Sequence, residues 1–164
     1  MEKILLDENG YKQFLGELEK LKNQSDMSAV AGSDAYDSAV GDGWHDNFAF
    51  EESMRESRLI AKRIDDMYAK KKNIEIIKDD KKDENIVNLN DKVLVEIIYS
   101  EDDKEEETII LTGKYIPDTY ADIQEITINS PIGKAIYKSK IGTTKKYKVE
   151  GREITIRILS KQWY

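Results

Sequence analysis

The chain has 164 residues, 39% of them hydrophobic and 36% charged, with no cysteine and a formal net charge of −7. This length accommodates one domain or two small ones, and the lack of cysteine excludes disulfides and thiolate chemistry. No apolar run approaches the roughly 20 residues of a membrane-spanning helix, and the N-terminus lacks the features of a signal peptide. We therefore expect a cytoplasmic protein without a membrane partner. Its acidity argues against autonomous binding to DNA.

The negative charge is confined to one segment. Residues 23–54 contain no Lys or Arg and seven carboxylates, whereas the rest of the chain has 26 acids and 26 bases. The seven acids are Asp26, Asp34, Asp37, Asp42, Asp46, Glu51 and Glu52. Charge gathered in one place creates a directed field, so this base-free segment is predicted to meet a cation or a basic cavity.

Helical periodicity dominates residues 1–77. Apolar positions recur with 3-4-3 spacing from Tyr11 to Leu21, and a second stripe of this kind runs from Phe50 to Ile74. The two stripes predict an antiparallel coiled-coil hairpin whose second helix begins near Phe48 and ends near Asn73. Towards the turn the seam becomes small and polar, with Ser25, Ser28, Gly32, Ser53 and Ser57. Stability should decline in that direction because little apolar area is buried there, and Gly32 is a candidate for a break in the first helix.

The second half changes to the periodicity of β-strands. Residues 78–90 include a run of charges that predicts a linker, and residues 91–164 are predicted to form a small β-rich domain. Its strand-like runs cover residues 92–99, 107–115, 125–129, 145–149 and 152–159. Between the third and fourth runs, Ser130 could cap a short helix with Pro131 in its first turn. The expected fold class is α+β.

Two segments resemble the Gre family of bacterial transcript-cleavage factors. One is GDGWHDNFAFEESMRESRLIAKRIDDMYAKKKNIEII, and the other is INSPIGKAIYKSKIGTTKKYKV followed by REITIRIL. The resemblance implies a coiled-coil hairpin and an FKBP-like domain that docks on bacterial RNA polymerase. It places docking at Ser130, Pro131, Ile132 and Gly133. The factor itself would be a monomeric accessory protein rather than an enzyme.

The resemblance also assigns an acidic tip at residues 41–47. It implies that Asp42 and Asp46 reach the polymerase active centre and help to hold Mg²⁺ there, with no metal in the free protein. Support for the tip would come from Gly41, Trp44, His45, Asn47 and Phe48. In the family, the hairpin enters the secondary channel of the polymerase. Contacts to the walls of this channel or to the 3′ end of the nascent RNA would come from Arg55, Arg58, Lys62 and Arg63.

The tip departs from the family pattern, which leaves its output open. Three residues separate Gly41-Asp42 from Asp46-Asn47 where the family has two, and Asp46 replaces a Glu. The factor would therefore either stimulate RNA cleavage or occupy the secondary channel and inhibit or pause the polymerase without promoting cleavage. Other interpretations are a solvated turn, a transition-metal site at Asp42, His45 and Asp46, and packing of Trp44 on Phe48. A prolyl isomerase or a coiled-coil adaptor without a polymerase partner are further alternatives.

Overall fold

A computed structural model describes residues 2–37, 48–78 and 83–162. The chain divides into two compact units, one formed by Met1–Glu2 and Phe14–Ile74 and the other by Lys3–Gln13 together with Glu75–Tyr164. None of the helices within the described ranges is long and apolar enough to cross a membrane. The expected α+β class, with a helical hairpin and a β-rich domain, is confirmed.

The first unit contains the hairpin of α1 (Glu8–Asp37), from Phe14 onward, and α2 (Phe48–Lys71). Leu18 on α1 and Ile60 and Met67 on α2 are buried at seam positions that the periodicity predicts. The helices run antiparallel, because Ser28 meets Ser57 while Gly32, one turn further along α1, lies against Ser53. The predicted start of the second helix at Phe48 is confirmed.

The predicted break at Gly32 is wrong. Helix α1 continues through this residue to Asp37. A Cβ atom at Gly32 would lie 2.9 Å from the hydroxyl oxygen of Ser53, so the glycine is accounted for by close helix–helix approach. The cost of glycine in a helix, about 1 kcal/mol relative to alanine, is compatible with a helix that gains tertiary contacts.

The second unit contains a five-stranded sheet with the order β5-β4-β3-β7-β6. The strands are β3 (Lys92–Ile98), β4 (Lys104–Thr112), β5 (Gln124–Thr127), β6 (Thr144–Val149) and β7 (Arg152–Gln162), so all five predicted strands are confirmed. All neighbours are antiparallel except β4 and β5. Along β3, Val93, Val95 and Ile97 are buried on one face, as period-two alternation requires.

The core lies on the face of the sheet that carries these three residues, and α3 (Pro131–Ile136) contributes the buried Ile136 to it. Val87 and Leu89 also belong to this core. The predicted linker at residues 78–90 is therefore corrected for this part of the segment. Two apolar residues among charged neighbours give no periodic pattern in the sequence, yet both are buried in the core.

A small second sheet pairs β1 (Ile4–Leu6) with β2 (Ile74–Ile76). The periodicity predicts a hairpin over residues 1–77, whereas Lys3–Gln13 group with the second unit. The physical reason is local. The side-chain amide of Asn129 exchanges two hydrogen bonds with the backbone of Leu5, and the backbone nitrogen of Asp7 donates to Gly113.

Candidate functional site

The acidic tip assigned by the resemblance lies outside the described residues. This applies to Gly41, Asp42, Trp44, His45, Asp46 and Asn47. The residues that the structure does describe are the two helix segments that lead into the tip.

Hydroxyl groups join the two helices in this distal part of the hairpin. The hydroxyl oxygens of Ser28 and Ser57 lie 2.8 Å apart, and the hydroxyl of Ser53 donates to the backbone oxygen of Ser28 at 3.3 Å. Ser28 is buried, whereas Ser53 and Ser57 are half-buried. Hydrogen bonds therefore connect the helices here in place of apolar side chains.

The flank of the hairpin is an open groove with unusually exposed apolar side chains. Met27 on α1 is 72% exposed and Leu59 on α2 is 51% exposed. The groove is lined by Gln24, Met27, Ser28, Ala31, Glu56, Leu59, Ile60 and Arg63. Phe48, at the start of α2, is 77% exposed, so its side chain is available to an external contact.

The four cations predicted to contact the channel or RNA are all exposed on α2. The spacing of Arg55, Arg58 and Lys62 places them opposite the seam, because residues three and seven apart share a face of a helix. Arg63 instead lines the groove. Arg55 has an exposed acidic neighbour, with 3.8 Å between its guanidinium and the carboxylate of Glu52. The structure thus separates the predicted set into three residues on the outer face and one at the groove.

The predicted cap of α3 is confirmed. The hydroxyl of Ser130 accepts from the backbone nitrogen of Gly133 at 3.0 Å, and Pro131 occupies the first turn. Gly133 is buried, and a Cβ atom there would lie only 2.0 Å from the backbone oxygen of Thr127. Ile132 packs against the core, while Pro131 is exposed. Of the four predicted docking residues, Ser130 and Gly133 thus have clear structural roles, and Pro131 faces solvent.

Titratable groups with shifted pKa values cluster where β3 and β4 meet. A hydrogen bond from the Tyr99 hydroxyl to Glu105, at 2.5 Å, raises the pKa of Tyr99 to about 12. Burial raises the pKa of Glu107, with a further contribution from the charge of Glu105. Over the described ranges, no group of three or more His, Asp or Glu residues could hold a metal ion. The raised pKa values at this cluster therefore come from a hydrogen bond, burial and neighbouring charge, and the described residues here do not form a metal site.

The C-terminal region matches a known family. Residues 82–161 match the sequence model described as the C-terminal domain of the GreA/GreB transcription elongation factors. This region of the chain is therefore a GreA/GreB-type C-terminal domain. Comparison with curated proteins gives no significant match.

Solved structures of GreA/GreB-type factors and of Gfh1 align with this chain over nearly its whole length. GreA factor homolog 1 (Gfh1) of Thermus thermophilus is 16% identical, with a TM-score of 0.43 and coverage of 99% of this chain and 100% of that one. Gfh1 of Thermus aquaticus is 17% identical with a TM-score of 0.44, over 99% of this chain and 100% of that one. The GreA/GreB factor of Nitrosomonas europaea is 18% identical with a TM-score of 0.40, over 98% and 100%.

One charge feature of this domain was not among the predictions. Residues 126–149 contain six lysines and no Asp or Glu. The signal was available in the charge pattern, as the counterpart of the base-free segment at residues 23–54.

Proposed function

We propose that this chain binds bacterial RNA polymerase, inserts its hairpin into the secondary channel and stimulates Mg²⁺-dependent cleavage of backtracked RNA. The chain would act as an accessory factor. The polymerase would carry out the hydrolysis, and the acidic tip would supply carboxylates to its active centre.

One combination of features supports the proposal. A single chain joins a GreA/GreB C-terminal domain to an antiparallel hairpin whose distal segment has seven acids and no base. An acidic end of this kind is attracted to a basic cavity and repelled by RNA phosphates. It would therefore favour productive entry over unproductive binding to nucleic acid.

Carboxylates suit the proposed task. Mg²⁺ prefers oxygen ligands and often takes only one or two carboxylates while it retains several waters. When bound in a two-metal site, this ion generates the nucleophile and stabilises the displaced oxygens. Asp42 and Asp46 would provide the oxygens, and the helices that end at Asp37 and begin at Phe48 would carry them.

The test is a cleavage assay on backtracked elongation complexes with Mg²⁺. Addition of the protein should release short RNA fragments from the 3′ end, and Asp42→Ala should abolish the release while binding to the polymerase is retained. Asp26→Ala is the matched control, because Asp26 is an exposed acid on α1 within the same base-free segment. Unchanged release by Asp42→Ala would remove Asp42 from the proposed role.

A second candidate function rests on the altered tip. Three residues, Gly43, Trp44 and His45, separate the two Asp-containing pairs where the family pattern has two. Metal coordination tolerates deviations of only about 0.2 Å, so this change favours a factor that occupies the channel and inhibits. In that case the same assay would show slower nucleotide addition and no released fragments.

A further inference from the structure

A stretch of 24 residues, 126–149, carries positive charge only. Its six lysines are Lys134, Lys138, Lys140, Lys145, Lys146 and Lys148. The stretch forms the end of β5, helix α3, the following turn and β6. All six lysines are exposed, and together they are called the lysine edge.

Two of the elements that carry these lysines are in contact. Strand β6 is the last strand of the sheet, and α3 packs against it. In the β6–β7 register Lys145 faces Ile156, whereas Lys146 faces Thr155. Since neighbouring residues of a strand point to opposite faces, the lysine edge presents cations on both faces of the sheet margin.

The lysines are only partly neutralised within the domain. Lys146 pairs with Glu153 at 2.6 Å, and Lys138 donates to the amide oxygen of Asn88 at 2.9 Å. Within the described ranges, neither Lys140 nor Lys145 has an acidic partner within ion-pair distance. This edge is therefore a source of positive potential for an approaching partner.

The first half of β4 and the turn before it carry the opposite sign. Six of the seven residues 101–107 are acids. Strand β5 pairs only with Ile109–Thr112 of β4, so residues 104–107 lie along a margin that β5 does not cover. These acids are not remote from β6, since burial raises the pKa of Tyr147 on that strand and the charges of Glu105 and Glu107 raise it further. The positive charge is therefore local to α3, the following turn and β6.

We infer that the lysine edge docks on an acidic protein surface of the polymerase. The inference rests on the proposed function, because it names the chemistry of the surface that the domain would meet. Helix α3 would take part in the contact, because it packs against β6 and carries Lys134 in its last turn. Complementary charge raises the association rate and fixes orientation more than it raises affinity.

Charge also favours a protein over a nucleic acid as the partner. Residues 83–162 contain 15 acids and 12 bases, so a long polyanion that extends past the lysine edge would meet repulsion. A protein surface of limited size can contact the lysine edge alone.

The experiment measures association of the full chain with nucleic-acid-free core RNA polymerase by stopped-flow fluorescence, between low and moderate NaCl concentration. The variant Lys140→Glu/Lys145→Glu should associate about tenfold more slowly at low salt, and this difference should shrink as the Debye length falls to about 8 Å near 0.15 M. Lys140→Gln/Lys145→Gln should give an intermediate rate. Lys12→Glu/Lys104→Glu is the control, because it makes the same change in net charge at exposed lysines outside the lysine edge.

Several results would overturn the inference. Equal slowing in the two charge-reversed variants would show that only net charge matters. Wild-type binding to duplex DNA or RNA alone, lost in Lys140→Glu/Lys145→Glu, would assign the lysine edge to nucleic acid. Salt-sensitive dimers in sedimentation, lost in that variant, would assign it to a second copy. If the wild type binds polymerase with no dependence on these lysines, only this inference fails, whereas no binding at all overturns the proposed function as well.

Discussion

Ser28 and Ser57 join the two helices of the hairpin through hydroxyl oxygens 2.8 Å apart, and Ser53 adds a bond to the backbone oxygen of Ser28. Apolar side chains pack adequately in several alignments, whereas a buried donor must meet its acceptor. Polar seam residues are known to specify register at some cost in stability. These serines should therefore fix the axial alignment of the segments that lead to the tip.

Engineered cross-linking tests this register. A Cβ atom at Gly32 would lie 3.9 Å from that of Ser53, within the range of about 3.5–4.5 Å found in disulfides. The chain has no cysteine of its own, so Gly32→Cys/Ser53→Cys should form one intramolecular disulfide under mild oxidation. Peptide mapping by mass spectrometry would identify it.

The control for the cross-link is Gly32→Cys/Ser57→Cys. Position 57 is four residues further along α2, about 6 Å away at about 1.5 Å per residue, and beyond disulfide reach. We expect much slower oxidation of this pair. Comparable rates for the two pairs would mean that the helices slide relative to each other.

The ion pair of Lys161 with Asp91 predicts a large stability effect. Their side chains are 4% and 2% exposed, and their charged atoms lie 3.0 Å apart. Lys161 also donates to the backbone oxygen of Ile86, so it fastens the segment before β3 to β7. Lys161→Met leaves Asp91 buried without its cation and should lower the free energy of unfolding by about 3–5 kcal/mol, measured by urea denaturation.

An exposed pair in the same domain gives the matched comparison. Lys146→Met removes the partner of Glu153, but both side chains are largely exposed. The expected loss is about 0–1 kcal/mol. Similar losses in the two methionine variants would contradict a special role for burial of Lys161.

Two glycines should respond oppositely to alanine. At Gly133 a Cβ atom would overlap the backbone oxygen of Thr127, and overpacking of this kind costs about 1–3 kcal/mol. At Gly16, in the interior of α1, nothing lies within 4 Å of the added atom. Gly16→Ala should stabilise its helix by up to about 1 kcal/mol. Thermal unfolding of the two variants, followed by circular dichroism, tests both signs.

The hydrogen bond of Tyr99 with Glu105 predicts a titration at high pH. The folded pKa of Tyr99 is raised to about 12, above the value near 10 of an unfolded chain. Its stabilising contribution is therefore complete below about pH 10 and is lost as the pH rises through about 12. Glu105→Ala should lower this pKa, as ¹³C NMR of the tyrosine ring would detect, with Tyr99→Phe to assign the signal.

The neighbouring acid supplies the control for that titration. Glu106 is adjacent to Glu105 on β4, so its side chain points to the opposite face of the sheet. Glu106→Ala should leave the pKa of Tyr99 close to its wild-type value. An equal decrease in both variants would indicate a general field effect instead of the specific hydrogen bond.

Long periodic patterns were the part of the fold that could be predicted from the sequence. The seam of α2 repeats over several turns, and its predicted members Ile60 and Met67 are buried as expected. Short elements were missed, because the three residues of β1 or β2 are too few to establish a period. Val87 and Leu89 were missed for a related reason, since two apolar residues among charges give no pattern.

The residues predicted around α3 and those predicted on α2 could be placed from the sequence to different extents. The cap of α3 follows from Ser130 and Pro131 alone, because serine caps and first-turn prolines are local preferences. The separation of Arg63 from Arg55, Arg58 and Lys62 required the hairpin itself, since the groove depends on which flank of α2 faces α1. The assignment of Asp42 and Asp46 stays a prediction.

The position of β6 at the margin of the sheet has a consequence for the protein at high concentration. A marginal strand offers unpaired backbone groups to any other chain in extended conformation, and such edges are a common origin of aggregation. Strand β6 reads TKKYKV, with Lys145, Lys146 and Lys148 along it. Mutual repulsion between these cations on two molecules opposes strand-to-strand addition, so the charges that would guide docking also keep the chains apart.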